Sequence, residues 1–191
     1  MKFNKFFISI GHGKKGNNYD TGAIYKNIKE HIIAGEIAFK IYKYLIEKIF
    51  EIKDEGERRQ KNLIFLPFPL SLEEKVDFIN KNASENSLAI EIHFDSAEKI
   101  IDDFHFLILT YDKNNLYNSD IKINFVSKLI DNLKKLREWS SIQIIERKDL
   151  YFLKKTKCFS LILEIDYIWN YPILNADKVA FVISNVLFEF I

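Results

Sequence analysis

The sequence predicts a single α/β domain over residues 1–191, with a mixed, mostly parallel central sheet flanked by helices. Three observations carry this. Short apolar runs of strand length alternate with long stretches whose apolar residues recur at helical spacing. The length suits one domain that buries a sizeable core. No repeat, linker or low-complexity tract divides the chain.

In chain order, the apolar run 6–10 wants burial and reads as the first strand. It runs into Gly11-His12-Gly13, where the flanking glycines let the backbone turn and leave room around the imidazole. Residues 13–22 form a polar, Gly- and Asn-rich loop; Lys14 and Lys15 lack the spacing and the following Ser or Thr of a phosphate loop. A helix is expected over 27–49, with Ile33, Ile37, Ile41, Leu45 and Ile49 inward, Asn27 as N-cap and Glu30 three residues on. Residues 54–61 read as a charged connection, and 62–66 as a strand stopped by Pro67 and Pro69.

Ser71 caps a helix over 72–82, with Glu73 and Glu74 in its first turn. Strands follow at 88–93 and 104–111, with a turn at 112–115. A second long helix is expected over 121–139, with Phe125, Leu129, Leu133 and Leu136 inward. Residues 142–145 and 150–153 read as short strands or extended pieces, and 160–165 as a central strand. A helix from residue 175 closes the chain, with Val179, Val182, Val186 and Leu187 at core spacing.

Composition narrows the function. A formal net charge of +1 gives no general attraction to nucleic acid or to an acidic polymer. Cys158 is the only cysteine, which excludes an intrachain disulfide and a cysteine-rich zinc site. No stretch is long and apolar enough to span a membrane. The run 1–10 has two lysines but is too short for the core of a signal peptide and has no small-residue cleavage site, so synthesis in the cytoplasm is expected.

Four residues stand out, each with a plainer alternative. His12 follows a strand end, where α/β sheets usually place their chemistry, although Gly-His-Gly also makes an ordinary turn. Glu30 can be a metal ligand, or only the carboxylate of a capping box. His93 ends a strand and can be a ligand or a strand-end residue before a turn at Asp95-Ser96. Glu164 interrupts the apolar 161–165 run. A buried carboxylate there is costly unless paired or metal-bound, and burial raises its pKa into the range of a general base. The alternative is an edge strand with Glu164 facing water. Asp166 reads as a turn residue, His31 as exposed, and His105 as a packed strand residue. Tyr167 and Trp169, just past Glu164, are candidates for stacking on a substrate.

Four blocks of the chain resemble, in order, those of the zinc-dependent N-acetylmuramoyl-L-alanine amidases of bacterial cell-wall hydrolases and phage endolysins. The first is Ile10-Gly11-His12-Gly13 with Asp20-Thr21-Gly22-Ala23. The second is Lys29-Glu30-His31 with Ala34 and Ala38. The third is the helix 72–80 with the strand Leu88-Ala89-Ile90-Glu91-Ile92-His93-Phe94-Asp95-Ser96. The last is 150–156 with Leu161-Ile162-Leu163-Glu164-Ile165-Asp166-Tyr167-Ile168-Trp169-Asn170. Departures from the family pattern include Ser9 and Ile10 for Asp-Pro, Glu91 for a small Ser, Asp95 for Asn, Lys75 for a frequent Arg and Phe159 for Pro.

The resemblance implies one zinc ion per chain on His12, Glu30 and His93, with Glu164 as the catalytic carboxylate. It implies peptidoglycan as the substrate, cut between N-acetylmuramic acid and L-alanine. It also implies a single catalytic domain that acts on the cell wall, as a host autolysin or as an endolysin released through a holin. Two rival classes share these residues: another zinc amidohydrolase or peptidase on a related fold, and a non-catalytic wall-binding domain with a relic site.

Overall fold

A computed structural model describes residues 2–59, 61–67, 69–101, 103–113, 119–136 and 141–191. Strand β1 (Lys5–Ile10) is followed by two small hairpins, β2 (Gly13–Lys15) with β3 (Asn18–Asp20) and β4 (Ile24–Tyr25) with β5 (Ile28–Lys29). Then come α1 (Glu30–Glu51), α2 (Glu55–Arg59), β6 (Asn62–Leu66), α3 (Leu72–Asn82), β7 (Ser87–Asp95) and β8 (His105–Thr110). The chain continues through α4 (Asp120–Lys134), β9 (Ser141–Glu146), α5 (Tyr151–Lys155), β10 (Phe159–Tyr167), a 3-10 turn (Ile168–Ile173) and α6 (Ala176–Phe190).

Six strands form one sheet in the order β6-β1-β7-β10-β8-β9. The first four are parallel; β8 runs antiparallel to β10, and β9 is parallel to β8. Both faces are covered, which is why β1 and β7 are buried almost throughout. One face carries α1, α4 and α6 over Phe6, Ile8, Ile90, Ile92, Leu161 and Leu163. The other carries α3 and α5 over Phe7, Ala89 and Ile162.

The topology sets the site. From β1 the chain crosses by α1 to β6 on one side, then returns by α3 to β7 on the other. The strand order therefore reverses at β1, and a crevice opens at the carboxyl ends of β1 and β7, as at the ligand site of other open α/β sheets. His12 follows one of these ends and His93 lies near the other.

Several expectations change. Helix α1 begins at Glu30 with Lys29 as N-cap, and no side chain caps it. Asn27 is outside the helix because β4 and β5 occupy the approach to it. Residues 150–153 are not extended: they enter the short helix α5, in which Lys154 N–H donates to the Leu150 carbonyl and Phe152 and Leu153 are buried. A four-residue apolar run carries too little period to separate the two states. Part of the 54–61 connection is α2, and part of the 13–22 loop is the β2–β3 hairpin. Val182 is only partly buried, with Ile183 on the core face of α6 instead. The capping box at Ser71 is present, with both reciprocal bonds to Glu74. Residues 114 and 115 of the expected turn and 137–139 of the expected helix lie outside the described residues.

Candidate metal centre and catalytic cleft

The site starts from two glycines. A Cβ at Gly11 would lie 2.4–2.6 Å from the His93 ring, and a Cβ at Gly22 would lie 2.4 Å from Glu30 Oε2 and 2.5 Å from the His12 ring. Gly22 also has φ +68°, in the left-handed region. These two backbone positions let three side chains close up. His12 itself has φ +64°, a strain of about 1–3 kcal/mol that the surroundings hold in place.

Glu30 is the hub. Its Oε1 lies 2.9 Å from His12 Nε2 and 2.9 Å from His93 Nδ1, and also accepts from the Phe94 N–H at 3.1 Å. Its Oε2 accepts from the Ala23 N–H at 2.8 Å. The capping-box reading therefore fails: the carboxylate turns away from its own helix end and is 3% exposed. Ligand atoms of His12, Glu30 and His93 all lie within 4.8 Å of one another. Each imidazole has its second nitrogen on another carboxylate: His12 Nδ1 is 3.2 Å from Asp20 Oδ2, and His93 Nε2 is 3.1 Å from Glu91 Oε2.

The charges follow from this packing. Burial opposes ionisation of Glu30, yet hydrogen bonds from His12 and His93 hold its carboxyl far below the usual range. Burial also works against charge on His93, but its bonds to Glu30 and Glu91 push it up to about 10. His12 is raised likewise, burial being overcome by its bond to Glu30. The two imidazoles thus meet on one carboxylate oxygen, a place where a single divalent ion can sit. Two imidazoles and a carboxylate also match the three-ligand set of catalytic zinc sites, with carboxylate partners behind the imidazoles fixing their orientation. The residues fit a divalent metal.

Glu164 lies in β10 directly opposite His93 on β7, so the two side chains project from the same face. The edge-strand alternative fails, because β10 lies inside the sheet between β7 and β8. Its Oε2 is enclosed and has no hydrogen-bond partner among the described residues. Burial lifts its pKa to about 7, against the opposing pull of His93. Beside His12 and His93 a cleft of about 350 Å³ opens between the β2–β3 hairpin, the start of α3 and α5, with Lys14, Leu72, Tyr151 and Phe152 on its walls.

Other sequence-selected residues take structural positions. Asp166 is not a turn residue. It is fully buried within β10 and accepts from the His105 and Tyr167 N–H groups and from Asn170 Nδ2. His31 is partly buried, not exposed, with Nδ1 3.1 Å from the Thr21 carbonyl. His105 is 7% exposed and packs as expected. Tyr167 stacks on Trp169 at 4.5 Å and meets His105 at 3.8 Å, and Trp169 Nε1 donates to the Ile101 carbonyl, so their contacts are made within the fold. Asp20, Lys75 and Glu91 were given no role by sequence reasoning; the signal for the last two was a pair of opposite charges departing together from the family pattern.

The fold is that of an α/β hydrolytic amidase. The N-acetylmuramoyl-L-alanine amidase family model matches residues 7–172, and the chain belongs to that family. Among solved structures, the amidase AmiC2 of Nostoc punctiforme is similar at TM-score 0.68 and 15% identity, covering 100% of this chain and 98% of that one. The CwlD amidase from Clostridioides difficile, solved with the GerS lipoprotein, is similar at TM-score 0.70 and 17% identity, covering 98% of each chain. The catalytic domain of the CD27L endolysin, which targets Clostridia difficile, is similar at TM-score 0.63 and 15% identity, covering 97% of each. At these identities the likeness shows the shared fold. No curated protein matches the chain in sequence.

Proposed function

We propose that this amidase is a zinc enzyme that hydrolyses the amide between the lactyl group of N-acetylmuramic acid and the L-alanine of the peptidoglycan stem peptide. The observation that carries this is the convergence of His12, Glu30 and His93 beside a high-pKa Glu164. One zinc per chain would be held by His12 Nε2, Glu30 Oε1 and His93 Nδ1. When bound, it supplies Lewis-acid polarisation and an acidified water.

The chain's own residues do the rest. Glu164 accepts the proton of the attacking water as the new carbon–oxygen bond forms. It then returns that proton to the alanine nitrogen as the carbon–nitrogen bond breaks. A carboxyl titrating near neutrality can serve in both directions. The cleft walls position the stem peptide, and Gly11 and Gly22 keep the space around the imidazoles clear.

We take all of residues 1–191 as one catalytic domain: α6 packs on α1 and α4, and Phe3 N–H donates to the Phe190 carbonyl, closing the two ends of the chain on each other. The run Lys5–Ile10 is the interior strand β1, which leads into His12. Among the described residues no helix is long and apolar enough to cross a membrane.

Digestion of purified peptidoglycan followed by mass spectrometry tests the reading. Intact stem peptides with a free L-alanine amine are expected. Cuts inside the stem peptide would show a peptidase, and binding without cleavage would show a relic site.

A further inference from the structure

Lys75 and Glu91 are 1% and 2% exposed, an extreme burial for charged side chains. The Lys75 ammonium has three protons and three acceptors. It donates to the Ile10 carbonyl at 2.5 Å, the His12 carbonyl at 2.6 Å and Glu91 Oε1 at 2.8 Å. The two carbonyls bracket Gly11, so the ammonium clamps the backbone that turns into the left-handed His12. The other oxygen of Glu91 meets His93 Nε2 at 3.1 Å. Glu91 and His93 are two apart on β7 and share a face. A carboxylate held by an ammonium only accepts hydrogen bonds, so Nε2 of His93 must be the donor toward it. Nδ1, which faces Glu30, is then the nitrogen left for a metal.

We propose that Lys75 and Glu91 are a buried positioning pair for the metal centre, a role that rests on the zinc reading above. Lys75 fixes the strand end that presents His12. Glu91 fixes the orientation and tautomer of His93, so that Nδ1 ligates. One ion pair thereby sets both histidines.

The test uses the whole chain, loaded with zinc or cobalt(II). Imidazole nitrogen NMR of the zinc-loaded parent should show His93 protonated at Nε2; protonation at Nδ1 overturns the proposal. In Glu91→Gln the amide carbonyl can satisfy Lys75 only by turning its NH₂ toward His93 Nε2, which selects the wrong tautomer. Zinc affinity, measured by competition with a chelating dye, should fall about 10–100-fold, and the visible cobalt spectrum should shift. Lys75→Met/Glu91→Leu removes both charges together and preserves apolar packing if the single variant fails to fold. It should show the same loss. Folded variants with parental zinc affinity and an unchanged cobalt spectrum overturn the proposal alone. A parent that takes up neither metal overturns the zinc reading and this proposal with it.

Discussion

Glu164 shows how one residue's surroundings decide its role. Its carboxyl is expected to ionise near pH 4.5 in the unfolded chain and near 7 in the metal-free fold. Between these values the folded state keeps a proton that the unfolded state releases. Its stabilising contribution is complete below pH 4.5 and is lost as pH rises through 7. Glu164→Gln lacks this term, so the metal-free variant should melt above the parent at pH 8 and no higher than it at pH 4.5. Calorimetry at the two pH values checks the sign, and equal melting temperatures at both would show a freely solvated glutamate. In the zinc-loaded enzyme the same variant should keep its metal and lose about 10²–10⁴-fold in turnover. Glu30 makes the complementary point. In the sequence it reads equally well as a capping carboxylate, and only its contacts to His12, His93 and the Ala23 and Phe94 amides exclude that.

The elements act on the site through their ends. Strand β1 is a continuous apolar run and helix α1 is long and strongly periodic, and both are legible from sequence to within a few residues. Their junctions with the loops are less legible, and it is there that the ligands sit. Gly11→Ala would place a Cβ within 2.6 Å of the His93 ring, which can yield only by rotating off its ligating position. Metal content and turnover should collapse while the fold survives. Gly35→Ala is the control on α1: its Cβ would meet Ile10 Cδ1 at an ordinary 3.4 Å, and removal of a mid-helix glycine should add about 0.5–1 kcal/mol. Urea melts with zinc analysis on both variants separate the effects. Retained zinc in Gly11→Ala would mean that His93 is not held where the site needs it. The least legible elements are the shortest: α5 and the strands of the two hairpins are two to five residues long, below the length at which period is informative.

At the scale of the molecule, stability and chemistry occupy opposite ends of the sheet. Phe3, Phe6, Phe125 and Phe190 pack edge to face around the amino end of β1, away from the histidines. Chelation should therefore abolish turnover and lower the melting temperature, yet leave a cooperative transition and an unchanged far-ultraviolet spectrum. A chelated chain that behaves as a random coil would identify a structural metal instead. Metal-free His12 and His93 both hold protons more tightly than ordinary imidazoles, so zinc uptake at pH 6 should release about two protons and tighten as pH rises. Titration calorimetry in buffers of different ionisation enthalpy reads that number.

What the sequence by itself determined is the alternation of strands and helices, the apolar faces that must be buried, and the four residues able to carry metal and proton chemistry. These are local properties: side-chain period, glycine flanks and a carboxylate set in an apolar run. Only the tertiary structure decided that β10 lies inside the sheet, that the strand order reverses at β1, and that Glu30 leaves its helix end to join two histidines from separate strands. It also decided that Lys75 and Glu91, sixteen residues apart, neutralise each other beneath the site. The physical reason is that strand order and burial arise from contacts between segments distant in sequence, whereas hydrophobic period reports only which face of each segment avoids water.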